Sequence, residues 1–379
     1  MTKHIPFNRP QMTGNELAYI AEAIEGDHLS GNGPFSRRCA GWLEEWSGAQ
    51  KALLTPSCTA ALEMAAILAG LESGDEVIMP SFTFVSTANA VVLRGGVPVF
   101  VDIRPDTLNL DETKVEDAIT ERTKAIVAVH YAGVACAMDA LCEIAARRSL
   151  LLVEDAAQAL MSTYRGRAVG SFGAVSALSF HETKNVTCGE GGALLVNRAD
   201  WVERAEIVHE KGTNRQRFFR GQVDKYSWVD IGSSYPMSEL QAAFLWSQLE
   251  AANMLTEARL DIWRRYDEAF APLEQSGRLR RPIVPKECTQ NGHMYYILLA
   301  PDVSRSSFIG GLAAANINAV FHYVPLHSSL AGSEHGRAFG DLAVTDDASD
   351  RLVRLPLWPG LSDAEVARVI ASVTQLLET

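Results

Sequence analysis

The sequence predicts an α/β protein in which a mostly parallel sheet is covered by helices on both faces. Short, uniformly apolar segments predict buried strands, at residues 77–79, 99–101, 125–129 and 151–153. Helical stretches alternate with them, near residues 59–69, 84–94 and 138–148. Apolar strands separated by amphipathic helices are typical of a covered parallel sheet. Because ligands of such sheets bind beyond the carboxyl ends of the strands, the residues after each strand are the first candidates for a site.

The segment before this alternating region predicts one amphipathic helix. Thr13 and Glu16 have the spacing of a capping box, and Gly26 is placed to end the helix. The apolar residues of this helix recur on one face, and they are Leu17, Ile20, Ala21 and Ile24.

A change of pattern near residue 237 predicts a second domain. Long helical stretches replace the alternation there, and another strand is predicted at residues 295–299. We therefore predict a large domain of residues 1–250, which includes an N-terminal arm, and a smaller α+β domain of residues 251–379.

The composition is ordinary for a soluble globular enzyme, with 47% hydrophobic and 21% charged residues among 379. The formal net charge of −12 argues against a nucleic-acid partner, whose binding requires basic residues to neutralise phosphates. The six cysteines form no C-x-x-C pair, which favours reduced thiols in the cytoplasm. We see no signal-peptide pattern and no apolar run of about 20 residues, and we expect a cytoplasmic protein without membrane association.

Motifs for two other kinds of chemistry are incomplete in this sequence. Two glycine pairs that start a dinucleotide-binding G-x-G-x-x-G motif are followed by Ser36 and Leu194 at its last position. His181 and Glu182 begin a zinc-binding H-E-x-x-H motif, but Asn185 replaces the second histidine. Nicotinamide chemistry therefore has little support, and we predict no metal site.

A lysine, an aspartate and an anion-binding turn each follow an apolar segment. Lys184 precedes a run of glycines that would let the backbone pass close to a bulky ring. Asp155 ends a buried strand, where a carboxylate requires a positive partner. Ser57, Cys58 and Thr59 lead into a helix whose first amides and dipole attract a phosphate. Pyridoxal 5′-phosphate (PLP) requires such a set, namely a lysine for its aldehyde, an anion for its pyridine nitrogen and amides for its phosphate.

Three further residues are placed to contact the same cofactor. Gln158 lies one turn after Asp155 and would reach the phenolic oxygen of the ring, Ser179 would reach the phosphate, and Phe84 would stack on the ring. Lys184, Asp155, the hydroxyls of Ser57 and Thr59, and Phe84 also have ordinary structural interpretations. The lysine is then a surface residue, the aspartate and the hydroxyls are helix caps, and the phenylalanine is a core residue.

With these residues assembled, the chain resembles the DegT/DnrJ/StrS family of sugar aminotransferases, which have the fold-type I PLP-dependent fold. The shared motifs run through nearly the whole chain in the order of the family. They are I-P-F-N, S-x-T-A-x-L, P-S-F-T-F-V-S-T, V-E-D-A-A-Q, S-F-H-E-T-K-N, G-E-G-G and H-Y-V-P-L-H. The resemblance implies that Lys184 forms the Schiff base and that Asp155 partners the pyridine nitrogen. It also implies cofactor contacts for Gln158, Phe84, Ser57, Cys58, Thr59 and Ser179.

Within the family, the chain is most similar to the WecE-type enzymes, which are dTDP-4-oxo-6-deoxyglucose transaminases. Residues 210–215 and 219–226 carry this similarity. Many relatives have Y-N-Y-R before the next helix, and its asparagine reaches the cofactor phosphate of the neighbouring subunit. Ser234 occupies that position here, so the resemblance leaves open whether Ser234 makes this cofactor contact, or whether the contact is made differently or lost.

The resemblance implies conversion of dTDP-4-oxo-6-deoxy-D-glucose to dTDP-4-amino-4,6-dideoxy-D-galactose, with L-glutamate as amino donor. It also implies a homodimer whose active sites lie at the subunit boundary. For the nucleotide sugar we consider basic and aromatic residues of the 215–226 run and of the H-Y-V-P-L-H motif. They are Arg215, Arg220, Lys225, Tyr226, His322, Tyr323 and His327. Solvated side chains and packed histidines are the ordinary alternatives for these residues.

Three other functions are compatible with the same fold. A PLP-dependent sugar dehydratase resembles this family but has histidine where Lys184 stands, so the lysine argues against it. An aminotransferase that acts at C-3 of the sugar is not excluded by any local feature. A non-catalytic regulator on the same scaffold is disfavoured because the cofactor set is complete and no DNA-binding helix pair or basic arm is visible.

Overall fold

The structure of the protein is a computed structural model, which describes residues 3–378. The strands, in chain order, are β1 (Lys51–Thr55), β2 (Glu76–Pro80), β3 (Val97–Val101), β4 (Thr123–Val129), β5 (Leu151–Asp155), β6 (Thr163–Tyr164), β7 (Arg167–Ala168), β8 (Val175–Ser179), β9 (Gly192–Val196), β10 (Leu279–Arg280), β11 (Cys288–Thr289), β12 (Tyr295–Leu299), β13 (Arg337–Ala338) and β14 (Leu352–Leu355).

The helices fill the intervals between these strands and follow the last one. They are α1 (Glu16–Glu25), α2 (Pro34–Ser47), α3 (Cys58–Leu68), α4 (Val85–Val92), α5 (Glu112–Ala118), α6 (Met138–Arg148), α7 (Val202–His209), α8 (Arg215–Phe219), α9 (Glu239–Glu250), α10 (Ala252–Gln275), α11 (Arg305–Ala314), α12 (Leu330–His335), α13 (Ala343–Arg351) and α14 (Asp363–Glu378).

The main sheet has the strand order β1-β9-β8-β5-β4-β2-β3-β13. Its neighbours from β8 to β13 are all parallel, whereas β9 runs antiparallel to both β8 and β1. The predicted mostly parallel sheet is therefore confirmed, with one antiparallel strand near an edge. The predicted strands and helices of this region agree with the observed bounds to within about two residues.

Alternate side chains of the sheet enter two separate hydrophobic cores, as the two-residue period of a strand requires. In β2, Ile78 belongs to one core, and Val77 and Met79 belong to the other. Residues of α1, α2, α6 and α9 complete the first core, and residues of α3, α4 and α7 complete the second. Helices therefore cover both faces, which explains why the strands are apolar throughout.

A third core lies in the C-terminal part of the chain. It contains side chains of α10, α11 and α14 together with β12 and β14, which belong to a three-stranded antiparallel sheet of order β10-β12-β14. The short strand β13, by contrast, pairs with β3 in the main sheet. The domain boundary between residues 250 and 251 stays a prediction. Between residues 3 and 378, no helix has the length and apolar character needed to cross a membrane.

The first helix differs from its prediction. Leu17 and Ile24 are 81% and 53% exposed, so the face predicted as apolar is not the buried one. Glu16 is buried instead, and its carboxylate accepts hydrogen bonds from the amide of Thr13 at 2.7 Å and from Gln248 Nε2 at 2.8 Å. The glutamate half of the predicted capping box therefore forms, although the helix begins at Glu16 itself.

Candidate active site

A cavity of about 760 Å³ lies at the carboxyl ends of the central strands of the main sheet. The last residue of β5, Asp155, pairs with Val129 of β4 and Ala177 of β8. This register brings the residues that follow β5 and β8 to the same edge of the sheet, and the first turn of α3 reaches that edge from β1. Residues of the C-terminal region, among them His322 and Arg354, form other parts of the wall.

Two consecutive acids of β5 have different surroundings. Glu154 accepts hydrogen bonds from three backbone amides of the segment 170–173, at 2.6–2.8 Å, and lies 3.1 Å from Nε2 of His130. The charge of Glu154 is thus compensated within the protein, on the side of the strand opposite to Asp155.

Asp155 lines the cavity and is held in place by two hydrogen bonds. Its Oδ2 accepts a hydrogen bond from the hydroxyl of Thr87 at 2.7 Å, and its Oδ1 accepts one from the amide of Ala157 at 3.2 Å. A carboxylate has about four acceptor sites, so Asp155 retains the capacity to bind a cationic group in the cavity. This arrangement favours the predicted ring-nitrogen partner over a simple helix cap.

Lys184 lies in the turn between β8 and β9, where its amide donates a hydrogen bond to the carbonyl of His181 at 2.9 Å. Its side chain lines the same cavity as Asp155. Burial lowers the pKa of the Lys184 amine from its ordinary value, although the charge of Asp155 acts in the opposite direction. A lowered pKa increases the neutral fraction of the amine, and the neutral amine is the form that attacks an aldehyde or accepts a proton.

The first turn of α3 also lines the cavity. Ser57 is the N-cap, and its Oγ accepts a hydrogen bond from the amide of Ala60 at 3.1 Å. The amides of Cys58 and Thr59 precede the first intrahelical hydrogen bond, so they are available to an anion. Ser57 therefore caps the helix, which was the alternative interpretation of this residue. The turn itself still offers backbone amides to an anion.

One glycine of the run after Lys184 allows two backbone segments to pass close together. A Cβ atom on Gly192 would lie 2.4 Å from the backbone of Ser57 and of Cys58. Only glycine therefore allows β9 to pass so close to the turn before α3. The predicted approach of the glycine backbone to a bulky ring stays a prediction, and Gly191 of the same run lines the cavity.

The remaining predicted cofactor contacts of the large domain also line the cavity. Phe84 is 56% exposed, as expected for a ring that faces an open cavity and not for a core residue. Gln158 is fixed by the amide of Ala132, which donates to its Oε1 at 2.7 Å, and donates from Nε2 to the hydroxyl of Tyr323 at 2.9 Å. Ser179 lies at the end of β8 and lines the cavity as well.

The H-Y-V-P-L-H motif is divided between the cavity and the protein interior. His322 and Tyr323 line the cavity, with ring centroids 3.5 Å apart. His327 is not among the lining residues. Its Nδ1 lies 2.8 Å from the hydroxyl of Ser81, and its Nε2 lies 3.5 Å from a carboxylate oxygen of Asp346. Within this chain, His327 is therefore a packed histidine, which was the alternative to its predicted contact with the sugar.

The basic and aromatic residues of the 215–226 run do not line the cavity within a single chain. The guanidinium of Arg215 lies over the ring of Tyr226 at 5.9 Å, and Arg220 forms an ion pair with Glu206. Lys225 is exposed. The predicted cofactor contact Ser234 is also exposed and outside the cavity lining of its own chain.

Comparison with known proteins identifies the family. The profile described as the DegT/DnrJ/EryC1/StrS aminotransferase family matches residues 10–374. The chain belongs to this family. It is 34% identical to the GDP-perosamine synthase of Caulobacter vibrioides, over 97% of each chain. It is 33% identical to the spore coat polysaccharide biosynthesis protein SpsC of Bacillus subtilis, over 99% of this chain and 97% of that one.

Among solved structures, the PLP form of Spr1654 from Streptococcus pneumoniae superposes with a TM-score of 0.91, at 27% identity and with 99% of each chain covered. The fold-type I PLP-dependent fold predicted by the resemblance is confirmed, and the protein is a PLP-dependent sugar aminotransferase.

The residues of the cavity fit the cofactor of the family. The carboxylate of Asp155 is oriented by Thr87, the amine of Lys184 has a lowered pKa, and the first turn of α3 lines the same cavity. These are the three groups that PLP requires, and all of them line one cavity. For an aminotransferase of this family, they are the residues that would hold the ring nitrogen, the aldehyde and the phosphate.

Several residues of the site were not found by reasoning from the sequence. Thr87 orients Asp155, and its spacing of three from Phe84 was a usable signal. His293 lies 3.0 Å from the side-chain oxygen of Asn185, next to Lys184, and burial lowers its pKa well below the ordinary value. Arg354 also lines the cavity, and as the only charged residue of the apolar strand β14 it was visible in the sequence.

Proposed function

We propose that this aminotransferase converts dTDP-4-oxo-6-deoxy-D-glucose to dTDP-4-amino-4,6-dideoxy-D-galactose, with L-glutamate as the amino donor. The observation that carries the chemistry is that Lys184 and Asp155 line one cavity from neighbouring strand ends. The proposed nucleotide and keto position rest on the similarity of residues 210–226 to the WecE-type enzymes. The relatives named for GDP-perosamine synthesis and for spore coat polysaccharide synthesis support a nucleotide-linked sugar substrate.

The residues of the chain have separate tasks in this proposal. PLP, when bound, supplies an electron sink for the carbon that gains or loses a proton. Lys184 removes the α-proton of the donor and later delivers a proton to C-4 of the sugar, as base and then acid. Asp155 keeps a proton on the ring nitrogen, and the amides of Cys58 and Thr59 bind the phosphate. The face on which Lys184 delivers its proton then determines the configuration at C-4.

The contacts to the nucleotide sugar are proposed for two groups of residues. His322 and Tyr323 belong to the same cavity as Lys184, which supports a role for them in lining the sugar pocket. We propose that Arg215, Arg220, Lys225 and Tyr226, together with the phosphate-binding candidate Ser234, serve the cavity of a second subunit. For His327 the packed position argues against direct sugar contact.

The product test is an incubation of the purified, PLP-loaded protein with L-glutamate and dTDP-4-oxo-6-deoxyglucose. We expect stoichiometric 2-oxoglutarate and a dTDP sugar with an amine at C-4, because Lys184 returns the proton to the carbon that carried the keto group. NMR coupling constants of the sugar ring distinguish the galacto from the gluco configuration. An amine at C-3, a deoxygenated sugar or no amino sugar at all would each refute the proposed reaction.

We also propose that the enzyme is a homodimer. The segment 218–229 displays exposed aromatic side chains, and Trp228 within it is 79% exposed. Leu17 and Ile24 of α1 are exposed apolar residues as well. A second copy of the chain would cover them and would bring the 215–226 run to a neighbouring cavity.

Each of the six cysteines, all of which lie in the described range, is free, which supports the proposed cytoplasmic location.

Trp228→Asp tests the proposed dimer. We expect it to raise the dimer dissociation constant by roughly tenfold or more, because a large apolar contact is replaced by a charge that must be buried. Sedimentation equilibrium measures that constant directly. Leu330→Asp is the matched control, since Leu330 is also highly exposed but lies on α12, far along the sequence from this segment. A monomeric wild-type chain, or equal effects of both substitutions, would count against the proposed interface.

A further inference from the structure

His293 is a buried histidine in the wall of the cavity, and it is bonded to the turn that carries Lys184. Its Nδ1 lies 3.0 Å from Oδ1 of Asn185, the residue that follows Lys184 in the chain. Nδ2 of Asn185 donates to the backbone carbonyl of Asn291 at 2.8 Å. Since a carbonyl can only accept a hydrogen bond, the amide group of Asn185 has one possible orientation, and its oxygen faces His293.

These bonds determine which ring nitrogen of His293 carries the proton. An amide oxygen can only accept, so Nδ1 is the protonated nitrogen and Nε2 has a lone pair. A second proton is disfavoured, because burial and the nearby charge of Lys184 lower the pKa of His293 well below its ordinary value. Among residues 3–378, Nε2 has no hydrogen-bond partner, yet it is not enclosed by the protein. It is therefore an acceptor that is open to the cavity.

The backbone around His293 is held by α10 and by its own neighbours. Nε and Nη2 of Arg259 donate to the carbonyls of Gly292 and His293, at 2.9 and 2.7 Å. Gly292 has a φ of +63°, and a Cβ atom there would lie 3.0 Å from the backbone of Arg259. The amide of His293 donates to Oδ1 of Asn291 at 3.0 Å. The ring is therefore fixed in the wall, and any donor must come to it from the cavity.

Four titratable groups act on His293 through their charges, and they are Lys184, Arg259, His322 and Arg354. The two arginines and His322 are fixed in place by hydrogen bonds to carbonyls or, for the histidine, to the hydroxyl of Tyr131. Lys184 differs from them, because its amine has no hydrogen-bond partner among residues 3–378 and its charge has the largest effect of the four. The amine and Nε2 are not hydrogen-bonded in the structure, so their contact requires rotation of the flexible lysine side chain.

Two other groups near this amine are less suited to hold it. The charges of Cys58 and Asp155 both act on Lys184, but burial raises the pKa of Cys58 well above its ordinary value, and a neutral thiol is a weak acceptor. Asp155 accepts from Thr87 and Ala157, and its charge has the ring nitrogen as partner in the proposed function. An amine drawn to Asp155 would compete with the cofactor, whereas the neutral acceptor of His293 would not.

We propose that Nε2 of His293 accepts a hydrogen bond from the amine of Lys184 whenever this amine is not bound to the cofactor. His293 is then a positioning residue, which holds the amine between its two proton transfers. The inference rests on the proposed role of Lys184, but not on the identity of the sugar or of the amino donor. A hydrogen bond to the ammonium form favours that form, so His293 opposes the effect of burial and raises the pKa of Lys184.

The test is competitive labelling with trace acetic anhydride, over a range of pH, of enzyme loaded with pyridoxamine phosphate, which leaves Lys184 free. Mass spectrometry of the peptide that contains Lys184 gives the acid dissociation constant of its ammonium group without any turnover. In His293→Asn this constant should rise about tenfold, because asparagine keeps a donor for Asn185 but has no atom at the position of Nε2. His293→Gln places an amide oxygen near that position and should stay within about threefold of wild type.

The same two variants distinguish this role from a structural one. If His293 only supports the turn of Lys184 through Asn185, glutamine becomes the disruptive substitution and asparagine behaves like wild type. That result overturns the inference, and so does an unchanged constant in both variants. His209→Asn is the matched control, because His209 is also buried, but its Nε2 lies 2.8 Å from the carbonyl of Leu54, and neither residue lines the cavity. An equal change of the constant in this control would also overturn the inference.

A measurement on the wild type requires no variant to fold. In ¹⁵N NMR of the histidine rings, Nδ1 of His293 should be protonated and Nε2 should be an acceptor in the pyridoxamine phosphate form. The Nε2 resonance should shift when PLP replaces pyridoxamine phosphate, because Lys184 then leaves it for the cofactor. A proton on Nε2, or a resonance that is the same in both forms, would contradict the proposed contact.

The PLP-loaded enzyme separates this inference from the proposed function. Its Lys184 should be protected from acetylation, because an amine that is covalently bound to the cofactor cannot react. Protection by PLP together with an unchanged dissociation constant in His293→Asn overturns the inference alone. Equal labelling of Lys184 in the two cofactor forms would show that another amine holds the cofactor, and it would overturn the proposed role of Lys184 as well.

Discussion

Lys184→Ala is expected to lower kcat for amino transfer by about 10⁴-fold or more, because it removes both the group that holds the cofactor and the base that moves the proton. The neutral form of this amine is favoured by burial, which lowers its pKa. Since a lowered pKa shifts deprotonation to lower pH, the wild-type enzyme should take up PLP at pH values below those an ordinary lysine would require. Product formation from glutamate and the keto sugar measures kcat, and the absorbance spectrum reports the loss of covalently held cofactor.

Lys124→Ala provides the matched control for this experiment. Lys124 lies near the amino end of β4, at the edge of the sheet opposite the cavity, and its amine is 4.0 Å from Asp75. Its removal should leave kcat within about twofold of wild type, as for most surface substitutions. A Lys184→Ala variant that keeps turnover close to wild type, or keeps the wild-type absorbance band, would show that another amine performs the reaction.

The parts of the fold that could be predicted from the sequence are those with a local signal. Strands β2 to β5 are apolar throughout because helices cover both faces of the sheet, and that pattern is visible in any window of the sequence. The buried face of the first helix could not be predicted in this way, because its local pattern points to the wrong face. Leu17 and Ile24 form an apolar face that this chain does not bury, whereas the buried residue Glu16 is polar and satisfied by distant groups.

The residues of the candidate site also include some with a local signal in the sequence and some without one. Lys184 and Asp155 each follow an apolar strand, and parallel strands end at one edge, so their neighbourhood follows from local pattern and topology. Arg354 and His293 reach the cavity from the C-terminal region, and no spacing rule connects residues so far apart in sequence. The 215–226 run is a third case, because it does not line the cavity within a single chain, and its proposed role there would require a second subunit.

Asp155→Asn should slow the glutamate half-reaction about 10²- to 10³-fold, a typical effect of removing an electrostatic group aimed at developing charge. Asparagine matches the shape of aspartate and can still accept from the hydroxyl of Thr87, which bonds Oδ2 at 2.7 Å in the wild type. It cannot, however, keep a proton on the pyridine nitrogen, so the ring loses much of its capacity to accept electrons. Single-turnover absorbance of the PLP-loaded variant with saturating glutamate measures the rate constant without interference from the sugar step.

Two further variants separate the charge of Asp155 from its position and from the stability of β5. Thr87→Val removes the bond that orients the carboxylate, together with the contact between the hydroxyls of Thr87 and Thr83, and leaves the charge of Asp155 in place. Its effect should therefore be smaller, about tenfold or less. Glu154→Gln alters the neighbouring acid, whose three amide donors lie on the other side of the strand. It should lower the melting temperature while leaving the half-reaction rate of the folded enzyme nearly unchanged, because a buried charged acceptor is lost away from the cavity. If Asp155→Asn behaves like Glu154→Gln, with reduced stability and a normal rate, then Asp155 is a structural cap and another group must protonate the ring.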